Sequence, residues 1–212
     1  MTTIQKNTGI IAGISIVVIT LAFLVTVVLF PVNEAASIEE YIRNYSVGSV
    51  IPVIPSFLLV IANIPLFIAL YFYANEDKRI FAVIGIIFGA GYMINCSINY
   101  FVQLSAVNKS ILSGNTGNIE TFLMYNPLSV AYSLDNLGYL FLAISFLFFS
   151  PIFSKGGLPS WIKTLFIITG ISGILGCLGY LMNNSLLESL VFITAFPYIL
   201  SIALLIFEFK KQ

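Results

Sequence analysis

The chain has 212 residues, of which 59% are hydrophobic and 8% charged, with 9 Lys and Arg balancing 9 Asp and Glu. A soluble domain of this size must cover its surface with polar groups, so this composition marks a polytopic membrane protein. The balanced charge and lack of a strongly basic segment exclude the electrostatic footprint of a nucleic-acid binder. The absence of histidine removes the commonest general base and the commonest metal ligand.

Crossing the hydrocarbon of a bilayer takes about 20 apolar residues per helix. Six stretches meet that length, at about 9–30, 48–74, 80–105, 127–150, 160–182 and 186–207. The predicted fold class is all-α: a polytopic membrane helical bundle of six transmembrane helices in a single domain over 1–212. The first apolar run exceeds the roughly 7 to 15 residues of a signal peptide's hydrophobic region, so it is predicted to stay as an anchor.

After the first span, "SIEEYIRNY" pairs Ser37 with Glu40 as a capping box and repeats Ile38, Tyr41, Ile42 and Tyr45 at helical spacing. It predicts a short interfacial helix over about 37–46, either an anchor or a lid. Pro52, Pro55 and Pro65 predict a bent second span whose freed carbonyls a cavity could use. A short "NEDKR" turn leads into the third span, where Gly85 and Gly89 stand at G-x-x-x-G spacing. The loop "NKSILSGNTGNIETF" has the composition of surface chain. The fifth span carries Gly170, Gly173, Gly176 and Gly179, marks of close helix packing. Ser185 and Glu188 read as a capping box opening the sixth. The two cysteines, Cys96 and Cys177, lie in apolar segments outside any C-x-x-C pair and read as packing residues.

Lys6, Lys78, Arg79, Lys155, Lys163, Lys210 and Lys211 fall on the side of the termini, against Arg43 and Lys109 on the other. By the positive-inside rule both termini are cytoplasmic. A three-plus-three inverted repeat is suggested by Pro31 and Pro151 and by "IPSF" against "LPSW", but the spacings between these marks do not match.

The chemistry-bearing residues form two stripes. Tyr132, Asp135, Asn136 and Tyr139 share one face of the fourth span, and Tyr92, Asn95, Cys96, Asn99 and Gln103 share one face of the third. Asn126 and Pro127 read as the cap and first turn of the fourth span, which puts Asp135 about 12 Å along it at 1.5 Å per residue. A carboxylate that deep costs several kcal/mol unless it is paired, hydrated or protonated. No Lys or Arg is predicted at its level, so it must find amides, phenols or water, or hold its proton. The plain structural reading is an Asp135–Asn99 bond between helices, worth about 0.6 kcal/mol in membranes. The functional reading is a ligand-binding pocket opening outward, lined by Asp135, Asn136, Tyr132, Tyr139, Asn95, Asn99, Tyr92 and Gln103, with Asn63 and Tyr198 as looser candidates for its wall.

Catalysis is not read. "GISG" at 170–173 matches the G-x-S-G around the serine of rhomboid-like intramembrane proteases, but that serine needs a histidine. An aspartyl protease needs two acids sharing a site, and Asp135 is expected to be alone in the membrane. No cofactor or metal is expected.

The layout, with "GIIAG" opening the first span and "LPSWIKTLFIITGISGILG" entering the fifth, resembles a group of small six-helix prokaryotic membrane proteins. The likeness is carried chiefly by Pro159, Trp161 and the glycines that follow. It implies the six-helix fold and a prokaryotic plasma membrane, and it supplies no site residue. The expected partners are the lipid bilayer, a small-molecule or lipid-like ligand and a membrane-protein partner. Three functional readings stay open: a non-enzymatic protein that binds or translocates such a ligand, a structural or regulatory subunit packing its glycine faces on a partner, and a lipid-modifying enzyme using one Asp and a phenol.

Overall fold

A computed structural model describes residues 1–31 and 37–212. The structure is 84% helical and, among the described residues, contains no strand. Its helices are α1 (Thr3–Leu29), α2 (Ile38–Arg43), α3 (Val53–Tyr73), α4 (Arg79–Val102), α5 (Asn108–Leu112), α6 (Val130–Phe149), α7 (Gly157–Leu181), α8 (Ser185–Glu188) and α9 (Leu190–Lys211). With their flanking turns they form six helices long and apolar enough to cross a membrane. Large apolar side chains crowd the outside of these helices, among them Phe192 at 82% and Phe196 at 71% exposure. Only hydrocarbon tolerates apolar exposure on that scale, so this is an integral membrane protein.

Local chemistry sets the helix ends. Thr2 and Gln5 close a capping box, and α1 therefore begins at Thr3 rather than near residue 9. Ser129 caps α6, which begins at Val130 rather than at Pro127. α4 does not stop at its predicted end but continues through a π-helical turn, Gln103–Val107, into α5. The sixth span divides at Ser189 into α8 and α9, and the cap of α8 is Asn184, which accepts from the Leu187 amide, rather than Ser185. Of the prolines in the second span, Pro52 and Pro55 sit at the start of α3 and only Pro65 lies inside it. One proline thus withholds an amide from the helix interior, where three were expected to bend the span.

The six spans form a closed ring. Each long helix packs on the next, α1 on α3, then α4, α6, α7 and α9, and α9 returns to α1. The ring also closes at its ends, where Lys6 Nζ donates to the Lys210 carbonyl at 2.9 Å and holds the two termini on one face. On that terminal side the interior is filled by aromatic rings. Phe146 meets Phe166 edge to face at 4.5 Å between centroids, Phe67 packs on Phe149, and Phe153 on Phe166. The glycines make this approach achievable. A Cβ on Gly89 would strike the Phe67 ring, one on Gly173 would meet Ala143 of α6, and one on Gly179 would run into the backbone of Glu188.

At the opposite face a second apolar cluster forms around Val107, Ile111, Ile119 and Leu123, with Ile38, Tyr41, Ile42 and Tyr45 packed against it. The predicted amphipathic helix is α2, capped by Ser37 accepting from the Glu40 amide at 3.2 Å. Its Tyr41 stacks on Tyr125 at 4.5 Å. The apolar face of α2 is therefore spent on the protein's own end rather than on lipid alone.

Candidate functional site

α4 and α6 carry the two polar stripes and lie side by side. Gly138 permits the approach, since a Cβ there would collide with Cys96 Sγ. The Ser129 hydroxyl fixes the register of α6, accepting from the Tyr132 amide at 2.9 Å while donating to the Leu123 carbonyl at 2.8 Å. With the helix starting at Val130, Asp135 lies about 9 Å from its cap at 1.5 Å per residue, shallower than the sequence predicts.

Asp135 Oδ1 accepts from Asn99 Nδ2 at 3.3 Å, and Cys96 Sγ lies 4.0 Å away. The Tyr100 and Tyr139 hydroxyls are 3.1 Å apart. Each phenol has one hydrogen, and either hydroxyl can be the donor of that contact. Tyr92, 2% exposed, packs its ring 6.1 Å from that of Tyr139. Below it Tyr198 donates to Asn63 Oδ1 at 3.1 Å and sets its ring edge to face on Phe146. The polar group thus rests on the aromatic filling of the terminal side.

Two features of this cluster are chemically incomplete. No Lys or Arg pairs with Asp135: the ion pairs among the described residues are Arg79–Glu76 and Lys211–Glu208, both at the terminal side. The Asn99 side chain, 2% exposed, donates through Nδ2, yet its Oδ1 is buried with no hydrogen-bond partner. Buried carbonyl oxygens are ordinarily satisfied. Asp135 itself is only partly buried.

Four residues of the predicted set turn elsewhere. Asn95 donates to the Gly91 carbonyl and Asn136 to the Tyr132 carbonyl, each returning to its own helix. Gln103 holds the loop before α6, donating to the Phe122 carbonyl at 2.6 Å and accepting from the Met124 amide at 3.4 Å. Tyr132 points to the short α8, where its hydroxyl donates to Glu188 Oε1 at 2.6 Å. Glu188 is therefore a partner of Tyr132 rather than one half of a capping box. Its neighbour Tyr180 packs its ring, tilted, 5.4 Å from that of Tyr132 and shares a 2.8 Å hydroxyl contact with Ser133.

Sequence reasoning missed Tyr100, although it follows Asn99 and stands four and eight residues after Cys96 and Tyr92, the spacing of one helical face. It also missed Glu208, a second acid within the spans, 5% exposed and accepting from the Tyr73 hydroxyl at 3.0 Å. Glu208 lies in the last turn of α9 on the terminal face while Asp135 is near the start of α6 on the other, so the two carboxyls do not share a site. Ser172 is tied to the Ile168 carbonyl and shares a 2.8 Å contact with the Thr194 hydroxyl. Two surface grooves, of about 460 Å³ between α1 and α3 and about 410 Å³ between α3 and α4, are apolar and include no residue of the Asp135 cluster.

No protein-family model matches the chain, and no curated protein or solved structure is detectably similar to it.

Proposed function

We propose that this integral membrane protein binds or passes a small ligand at the Asp135 cluster, with Asp135, Asn99, Tyr100 and Tyr139 as the contacting groups and Tyr92 behind them. The observation that carries this reading is a carboxylate with no cationic partner beside an amide whose buried oxygen lacks a donor. Thr169 Oγ1 is also buried without a partner, but only the Asn99 oxygen adjoins an uncompensated carboxylate. The protein is read as non-enzymatic, because the chain has no histidine and no second acid stands at the site. The seven-to-two distribution of Lys and Arg supports cytoplasmic termini, so that the site opens to the outside of a prokaryotic plasma membrane. The rival reading, a subunit that packs its glycine faces on a partner, loses its main support. Gly85, Gly89, Gly170, Gly173, Gly176 and Gly179 are all closed by side chains or backbone of this same chain.

The test is aqueous access. A single cysteine at 135, introduced by Asp135→Cys with Cys96→Ala and Cys177→Ala, is exposed in intact cells to membrane-impermeant methanethiosulfonates. Asn115→Cys and Lys155→Cys in the same background report the two faces. The reading expects position 135 to react from the side that modifies position 115. A position 135 that reacts from neither side rejects it.

A further inference from the structure

We propose that the absent partner of Asp135 is a small primary ammonium ion, so that the cluster is a receptor for an amine-bearing organic cation. This deepens the ligand-binding reading and rests on it. A count of hydrogens supports the assignment. Asn99 Nδ2 is given to the carboxyl, and one of the two phenol hydrogens of Tyr100 and Tyr139 is spent between them. What the site lacks is donors: the orphaned Asn99 Oδ1 has none, and the carboxylate receives only those of Asn99 and Cys96. It also carries one negative charge with no Lys or Arg to balance it.

A primary ammonium matches that shortfall, bringing one positive charge, three N–H donors and no acceptor. An anion would face an uncompensated carboxylate. A neutral alcohol brings one donor and leaves the charge standing. Na⁺ or K⁺ would balance the charge, but the phenol-rich neighbourhood of Tyr92, Tyr100 and Tyr139 suits a cation with an apolar stem better than a strongly hydrated one. A proton on Asp135 would cancel the charge and supply one donor, and it would leave no requirement for an amine at all.

Purified full-length protein in detergent is melted with ethylammonium chloride, NaCl, KCl, tetramethylammonium chloride and ethanol, the salts at equal ionic strength. The expected result is a saturable rise in melting temperature with ethylammonium alone, weakened about tenfold or more by Asp135→Asn, which removes a charge-assisted bond. No saturable rise in the native protein, an equal rise with Na⁺ or K⁺, or an unchanged rise in Asp135→Asn overturns the proposal. If Asp135→Asn fails to fold, Tyr139→Phe, which keeps the Asp135–Asn99 bond, takes its place: a several-fold weakening is expected, and unaltered binding overturns the assignment. Cysteine labelling at position 135 separates the two failures. Labelling without an amine response leaves a water-reached site for another ligand, whereas no labelling removes the site itself.

Discussion

Asn99 gives an amide hydrogen to the Asp135 carboxylate at 3.3 Å and keeps a buried carbonyl oxygen that nothing donates to. The bond joins α4 to α6 where Gly138 lets them touch, so one amide both links two helices and solvates a charge. Its two ends are not equivalent. Losing Asn99 strands a carboxylate, whereas neutralising Asp135 removes the reason the amide is needed.

The two substitutions should therefore differ in sign or size. Asn99→Leu is expected to destabilise the protein by about 1–3 kcal/mol, the cost of a stranded polar group. Asp135→Asn is expected to be neutral or stabilising, because it removes an uncompensated charge from an apolar setting. Thermal unfolding of both variants in detergent checks this, and equal losses would contradict it.

Gly179 should be the least replaceable glycine of α7. A Cβ there meets the backbone of Glu188, which cannot rotate aside as a side chain can. Gly179→Ala is expected to cost about 1–3 kcal/mol by overpacking. Gly117→Ala, with nothing within 4 Å, should change the melting temperature little.

Gln103→Leu should loosen the segment before α6. It removes the donor to the Phe122 carbonyl and the acceptor of the Met124 amide, leaving two backbone groups unsatisfied. Hydrogen exchange over residues 119–124 is expected to rise while the aromatic filling around Phe146 stays protected. Unchanged exchange there would show that the loop is held by other means.

Tyr132→Phe and Glu188→Gln should act on one bond, the 2.6 Å link between α6 and α8. Each is expected to cost roughly 1–3 kcal/mol, with the double variant costing little more than either. Full additivity in a double-mutant cycle would show that the contact carries no coupling.

Alkaline pH should release α2 first. Burial, with the nearby Tyr125 adding to it, holds the Tyr41 phenol above its ordinary ionisation range. The folded state thus favours the neutral form. Its contribution is fully present below the phenol pKa of the unfolded chain and is lost as pH rises from there through the folded value. Tyrosinate absorbance against pH is expected to show a late-titrating phenol that Tyr41→Phe removes, and no change in that variant would refute the assignment.

The candidate site was legible where helical period alone decided it. Asp135, Tyr139, Tyr92 and Asn99 share faces by spacing, and the structure brings all four together. Asn95, Asn136, Gln103 and Tyr132 satisfy the same spacing yet turn away, because a polar side chain in an apolar setting takes whatever carbonyl or carboxylate is nearest. Spacing names a face and does not choose the bond.

By itself the sequence determined six apolar helices in a single chain and one acid set among amides and phenols. Hydropathy and a 1.5 Å rise are local quantities that need no partner. Only the tertiary structure decided that the helices close into a ring, that the glycines of the spans are packed inside it, and that Tyr132 turns to Glu188 while Tyr100 meets Tyr139. Those outcomes depend on which surfaces meet, and residues far apart in sequence set the terms of meeting: Gly138 against Cys96, Gly179 against Glu188, Tyr198 against Asn63.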